Sequence, residues 1–154
     1  MPLRLSVEIL GEEQLDRTFL RITDAANDMA PLFNQMVKEL RLIETVQFLT
    51  EGAHGSGGWP ELAESTIEAK KRMGQMPWIE RATGALFESL TSGGQGSIEE
   101  VSKEWLRYGT SIPYAMFQQT GTQNMPQRRL VQLTEEERRE LAKMVQRYIM
   151  TGEV

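Results

Sequence analysis

Apolar residues between positions 15 and 48 recur at helical spacing, and one proline divides them into two runs. The first run is Leu15, Phe19, Ile22, Ala26 and Met29, and the second is Leu32, Met36, Leu40, Ile43 and Phe48. Spacings of three and four residues place each run on one face of a helix. Pro31 lacks an amide proton and disfavours helical geometry in the residue before it, so it breaks or kinks the helix. An antiparallel helix pair and one long bent helix both fit, and we favour the bent helix.

The remaining apolar patterns predict strands and a closing helix. Alternation over 3–9 is typical of a strand with one buried face. Residues 86–90 are interpreted as a strand, the glycine-rich segment 91–97 as a hairpin loop, and 98–106 as the return strand or a strand pair. Residues 130–133 predict a short closing strand. Thr134 and Glu137 then form a capping box, which predicts a final helix up to about Met150.

Together these elements predict one α+β domain over residues 1–154. Long N-terminal helices and a C-terminal helix are expected to pack on a small antiparallel sheet. The glycines of 52–58 and of 91–97 predict two flexible loops. The chain has no cysteine, no signal-peptide pattern at its start and no apolar run of membrane-spanning length. We therefore expect a protein without disulfides or membrane segments, made in a reducing cytoplasm.

Charge argues against a protein whose main task is to grip nucleic acid. The formal net charge is -5, whereas phosphate binding depends on clustered Lys and Arg. Residues 70–72 form the only basic triplet, but Glu61, Glu64 and Glu68 lie close to it, so a solvated helix face is the simpler interpretation. A nucleic-acid-binding regulator that uses this triplet together with Arg128 and Arg129 remains the alternative.

No residue pattern predicts catalysis, a cofactor or a metal. His54 is the only histidine, and without cysteines or a second histidine it lacks the companions that zinc needs, so we expect a solvated loop residue. The glycines of 93–96 are not followed by the Lys and Ser/Thr of a phosphate-binding loop. Glu99, Glu100 and Glu104 cluster as in a hydrolase, but nothing near them predicts an apolar pocket that would raise a carboxyl pKa.

The segment 108–133 is the most distinctive part of the chain. A Gly-Thr turn at 109–110 leads to one aromatic helical turn, Gly121 closes that turn, and a proline–arginine segment returns to apolar residues. Its polar groups are amides and guanidiniums, which bind and position but are poor acids, bases or nucleophiles. Aromatic and arginine side chains are also the types enriched in interface cores. The aromatics Trp105, Tyr114 and Phe117 are nevertheless expected in the domain core rather than at an interface, because aromatics bury large areas in any small domain.

The order of these features resembles the phage virion morphogenesis proteins, a family that includes the tail completion proteins of Mu-like contractile phages. The residues that carry the resemblance span about 48–150 and are Phe48, Trp59, Leu62, Thr66, Lys70, Thr83, Gly84, Leu86, Ser89, Leu90, Gly109, Thr110, Tyr114, Ala115, Gln119, Gly121, Pro126, Arg128 and Leu133. One position departs from the family pattern, because Gln118 stands where the family usually has histidine. A role that needs an imidazole is therefore not carried over.

The resemblance implies a structural virion protein that forms a ring at the head–tail junction, at the neck or tail terminus, so that head and tail can join. Its partners would be further copies of itself, as a hexamer rather than a dodecamer, and other neck, connector, tail tube or terminator proteins. It would lie in the virion, and in the host cytoplasm during assembly. DNA would pass through an acidic lumen without specific binding. The expected interface residues are Trp59, Tyr108, Tyr114, Phe117, Gln119, Arg128 and Arg129.

Overall fold

The computed structural model describes residues 12–76, 79 and 84–154. Their helices are α1 (Glu12–Asn27), α2 (Ala30–Leu49), α3 (Ala53–Ser56), α4 (Glu64–Arg72), α5 (Ala85–Thr91), α6 (Ala115–Thr120) and α7 (Glu135–Thr151). Two antiparallel strands, β1 (Ser97–Val101) and β2 (Leu106–Thr110), form a hairpin. The strand expected at 3–9, and the positions of Pro77, Trp78 and Thr83, lie outside the described residues. The predicted α+β class is confirmed, since the small sheet packs against α2 and α5.

The chain breaks between α1 and α2 just before Pro31. The proline lies in the first turn of α2, where its missing amide proton removes no helical hydrogen bond. The break is held from two sides, because the Met29 amide donates to the Lys103 carbonyl at 3.0 Å and the Tyr148 hydroxyl donates to the Asp28 carbonyl at 2.7 Å. As a result the two helices have different partners: α1 packs on α7, while α2 packs on α5, α7 and the sheet.

Residues 86–90 form α5, so the predicted strand is wrong. Leu86 and Leu90 are four residues apart, a spacing that puts them on the same face of either a strand or a helix. Both are fully buried, and Ser89, which a strand would turn to the other side, is buried with them. The Ser89 hydroxyl reaches the Thr110 hydroxyl at 2.9 Å and thereby ties α5 to β2.

The hairpin turn is at 102–105 rather than at 91–97. Glu99 pairs with Tyr108 in the ladder, and residues 109–110, expected as a turn, belong to β2. The Ser102 hydroxyl accepts from the amides of Glu104 and Trp105, which closes the turn. The glycine-rich connection is shortened to 92–96, and the Gly94 amide donates to the Glu88 carbonyl at 3.0 Å.

The segment 52–58 is packed rather than a free loop, which corrects the expectation from its glycines. It contains α3, and its backbone is held by side chains: the Gly55 amide donates to Gln47 Oε1 at 2.9 Å, and Gln132 Nε2 donates to the Gly55 carbonyl at 2.6 Å. Gly52 has a φ of 81°, and a Cβ there would lie 2.3 Å from Trp59 Cδ1. Only glycine allows both that conformation and the approach of the indole.

Residues 130–133 do not form the predicted closing strand. Glutamine side chains take the place of a neighbouring strand, because Gln119 Oε1 accepts from the amides of Leu130 and Val131 at 2.7 and 3.1 Å. Gln119 Nε2 donates back to the Val131 carbonyl at 3.1 Å. The capping box that follows is confirmed: the Thr134 hydroxyl accepts from the Glu137 amide, and the Glu137 carboxylate accepts from the Thr134 amide.

Two apolar clusters stabilise the fold. The larger cluster joins Phe48, Trp59, Ile79, Leu86, Leu90, Ala115 and Leu130. The smaller one joins Ala25, Leu32 and Tyr148 at the contact of α1 with α7. Leu15 and Phe19, expected on the buried face of α1, are more than half exposed. The Tyr148–Asp28 and Gly152–Arg21 contacts show that α7 runs antiparallel to α1 and ends opposite Arg21, so it does not reach Leu15. Among the described helices, none is long and apolar enough to cross a membrane.

Candidate assembly surface

Four of the seven expected interface residues serve contacts inside the protomer. Trp59 is buried, packs edge-on against Phe48 with ring centroids 5.2 Å apart, and donates its indole N–H to the Arg129 carbonyl at 2.9 Å. Tyr108 is half-buried and its hydroxyl donates to the Leu90 carbonyl. Gln119 holds the 130–131 backbone. These contacts give the residues roles in packing.

Arg128 is the fourth, and it is 5% exposed. Its guanidinium donates from Nε to the Pro60 carbonyl and from Nη2 to the Glu61 carbonyl, both at 3.1 Å. A buried cation with directed hydrogen bonds of this kind fixes the 59–61 backbone against the 126–130 segment. The residue therefore connects two parts of the chain and does not offer its charge to a partner.

The other three expected residues are on the surface. Tyr114 is 45% exposed and Phe117 is 46% exposed, and Arg129 is also exposed. Met116 lies between the two aromatics and is exposed as well. Neither Tyr114 nor Phe117 belongs to a core cluster, and Trp105, the third aromatic considered for the core, is 49% exposed in the hairpin turn. Helix α6 therefore presents a strip of large apolar side chains to solvent.

This strip lies in a region without charge. Residues 109–127 contain no Asp, Glu, Lys, Arg or His, although charged residues make up 25% of the chain. Many of them are exposed, including Pro113, Thr122, Asn124 and Pro126. Protein interfaces are depleted of charge at their centres and enriched in Tyr, Phe and Met. The absence of charge over 109–127 is a sequence signal for this surface that the types of the residues present do not give.

A groove of about 690 Å³ borders the uncharged surface. Its lining includes Glu61, Leu62 and Lys70 from one segment of the chain and Tyr114, Gln118 and Arg128 from another. The carbonyl oxygen of the Gln118 side chain is buried and has no hydrogen-bond partner among the residues that the structure describes.

A second apolar face lies on α2. Leu42, Val46 and Leu49 are exposed, and their spacing of four and three residues puts them on one side of the helix, away from the buried Gln47 and Phe48. The exposed Leu15, Phe19 and Leu20 of α1 form a third such group. A contiguous group of exposed apolar side chains is typical of a protein–protein interaction site.

The basic triplet is divided between interior and surface. Lys70 is buried, which corrects the expectation of a fully solvated helix face, whereas Lys71 and Arg72 are exposed. Because Arg128 is also buried, only Lys71, Arg72 and Arg129 of the proposed nucleic-acid-binding set reach solvent.

The clustered carboxylates are separated by the hairpin. Glu99 forms a two-point contact with Arg41, from Nε to Oε1 at 2.8 Å and from Nη2 to Oε2 at 2.5 Å, and this contact raises the pKa of Arg41. Glu100 pairs with Arg107 at 3.2 Å, and Glu104 is exposed in the turn. Adjacent strand residues point to opposite sides, so Glu99 and Glu100 do not share a site.

His54 has a partner that its sequence context did not reveal. Its Nε2 lies 2.7 Å from Glu137 Oε1, which joins α3 to the first turn of α7. Burial alone would raise the pKa of Glu137, but the hydrogen bonds from His54 and Thr134 outweigh it and lower the pKa. Over 12–76, 79 and 84–154 no group of three or more histidine or carboxylate side chains is placed to hold a metal ion.

The chain was also compared with known proteins. No family model matches the sequence, and no match is found among curated proteins or solved structures.

Proposed function

We propose that this chain is a non-enzymatic structural protein of a phage virion, which assembles into a ring at the head–tail junction so that head and tail can join. The observation that carries the proposal is the exposed, charge-free surface of α6 and the adjoining 121–127 turn. An isolated protomer gains nothing from Tyr114, Met116 and Phe117 in water, whereas a subunit interface buries them without desolvating a charge. The resemblance of residues 48–150 to the phage virion morphogenesis proteins supports tail completion as the assembly step in which the chain takes part.

The pair of apolar faces supports a closed ring in particular. In a cyclic ring each protomer uses two different faces, one for each neighbour. The α6 surface and the Leu42–Val46–Leu49 stripe of α2 are two such faces, and the side chains that define them are uncharged. We assign the contact between neighbours to these faces, in a hexamer rather than a dodecamer. Neck, connector, tail tube or terminator proteins would then stack above or below the ring.

The net charge of -5 suits a lumen through which DNA slides, because an acidic wall does not hold phosphates. Virion neck or tail, and host cytoplasm during assembly, are the corresponding locations.

Electron microscopy of particles made without this protein tests the proposal. Filled heads and separate tails are expected, and supplying the wild-type chain should restore joining. Phe117→Arg should fail to restore it, because the guanidinium would be buried at the ring contact. Trp105→Arg is the matched control, since Trp105 is similarly exposed but lies in the charged hairpin turn.

Light scattering of the purified protein with and without tail tubes gives the second measurement. Rings are expected at high protein concentration or in the presence of tails. A chain that stays monomeric and never binds tails would overturn the proposal. Binding to duplex DNA that weakens steeply with added salt would instead favour the nucleic-acid-binding regulator.

A further inference from the structure

Glu44 on α2 is a buried carboxyl group that the proposed ring does not use. Its side chain is 0% exposed, and neither carboxylate oxygen has a hydrogen-bond partner among the described residues. An ionised carboxylate in such a position is costly because it has lost water and gained nothing in exchange. A neutral, protonated carboxyl group costs far less.

One charged neighbour of Glu44, the Glu137 carboxylate, disfavours its ionisation further. Glu137 faces it from α7 and Tyr108 from β2. Glu99 of β1, paired with Arg41 of α2, lies beyond Tyr108, and His54 of α3 reaches the site through Glu137. The one titratable side chain of α5, Glu88, is exposed. No cation among these groups contacts Glu44, because Arg41 is bound to Glu99 and His54 to Glu137.

Glu137 keeps its own charge because both of its oxygens are occupied. Oε1 contacts His54, and Oε2 accepts from the amide and hydroxyl of Thr134. Of these two carboxyl groups, Glu44 is therefore the one that is protonated. Burial first, and Glu137 second, raise the pKa of Glu44 to about 8.

The amino end of α7 has fewer buried side chains than the rest of the helix. Within α7, all of which the structure describes, only Tyr148 is buried, and it lies near the opposite end of the helix. In the first turn, Glu137 contacts His54 of α3, whereas its contacts with Thr134 belong to the capping box of α7 itself. Segments with few buried apolar contacts open at a lower free energy than the global fold.

We propose that Glu44 is a proton-operated latch, which binds a proton when the amino end of α7 docks on α2 and releases it when that end opens. Opening removes the Glu137 charge and admits water to Glu44, so the carboxyl group ionises in the open state. Closure of α7 is therefore most favourable below about pH 4.5, weakens progressively as the pH rises, and stops weakening near pH 8. It is independent of the ring proposal, and either can fail alone.

Amide hydrogen exchange across 137–147 measures the latch in the intact chain. After correction for the intrinsic exchange rate, the opening equilibrium should rise about tenfold per pH unit above pH 5 and level off near pH 8. Glu44→Gln should abolish this rise, and Glu44→Met should do the same if the glutamine variant folds poorly. Glu39→Gln, on the same helix but only partly buried, is the control that keeps the wild-type slope.

Carbon-13 NMR of the glutamate carboxyl groups provides a readout that needs no folded variant. One carboxyl resonance of the wild-type protein should titrate near pH 8, far above the others. The proposal is overturned if all carboxyl groups titrate in the ordinary range, or if the exchange slope is the same in wild type and in the Glu44 variants.

Discussion

The side-chain oxygen of Gln119 accepts a hydrogen bond from the backbone amide of Leu130 at 2.7 Å, and so a glutamine does the work of a neighbouring strand. Leu130 is almost wholly buried in the larger core cluster, where its amide could find no water. The contact sets where the chain enters the core before turning into α7.

Replacing Gln119 should therefore destabilise the fold. Gln119→Leu leaves the buried Leu130 amide without an acceptor, a loss of about 1–3 kcal/mol. Gln119→Glu should cost less, because a carboxylate still accepts from Leu130 and Val131 although it cannot donate to the Val131 carbonyl. Urea denaturation measures both. Gln118→Leu is the neighbouring control and should be close to neutral, since the Gln118 carbonyl oxygen has no hydrogen-bond partner in the described parts of the chain.

Truncation to alanine should destabilise the fold at Arg128 but not at Arg129. Arg128→Ala leaves the carbonyls of Pro60 and Glu61 without their donors and should lower the free energy of unfolding by about 1–3 kcal/mol. Arg129→Ala should change it by no more than about 0.5 kcal/mol, because its exposed side chain can be lost while its backbone carbonyl still accepts from Trp59. Thermal denaturation of the pair checks this. An Arg128→Ala effect as small as that of Arg129→Ala would mean that the Arg128 contacts contribute nothing to stability.

Gly52 and Gly57 both have a positive φ, so alanine substitutions at the two positions separate the steric cost from the cost of backbone strain. Gly52→Ala places a methyl group against the Trp59 indole at a φ of 81°, and overpacking of this kind costs about 1–3 kcal/mol beyond the backbone strain. Gly57→Ala meets open space at a φ of 74°, so it should show the backbone strain alone. The difference in denaturation midpoint between the two variants, followed by Trp fluorescence, gives the steric part. No difference would contradict the packed arrangement of 52–58.

Glu44 should make stability fall as pH rises. Its pKa is raised from 4.5 to about 8 in the folded chain, so the folded state holds one more proton than the unfolded state between these values. The free energy of unfolding should then decrease by about 1.4 kcal/mol per pH unit across that window, with the full contribution present only below pH 4.5. Glu44→Gln should remove this slope and be the more stable variant at pH 8. Urea titrations from pH 5 to 9 measure the difference, and parallel curves for the two proteins would contradict it.

Much of the helical framework could be predicted from local pattern. The interruption of the helix near Pro31, the capping box of Thr134 and Glu137, the helix that follows it and the α+β class were all predicted and are confirmed. The favoured single bent helix is instead two helices, α1 and α2, with different packing partners. Each depends on residues close together in the chain, where spacing and hydrogen-bonding chemistry act directly.

The predictions that proved wrong involve ambiguous spacing or distant partners. Leu86 and Leu90 fit a strand and a helix equally, and only the burial of Ser89 beside β2 separates the two. Residues 130–133 carry strand-like side chains, but their hydrogen bonds go to the side chain of Gln119. The glycines of 52–58 indicated freedom, whereas Gln47 and Gln132 hold the segment.

For the candidate surface, the sequence by itself determined which side chains were available: an uncharged stretch over 109–127 that contains Tyr114, Met116 and Phe117. Only the tertiary structure decided which residues face water and which support the core. It buried Trp59, Lys70 and Arg128, exposed the α6 strip, and enclosed Glu44 beside Glu137. The physical reason is that burial depends on contacts between elements that are far apart in the chain, and local periodicity does not specify those contacts.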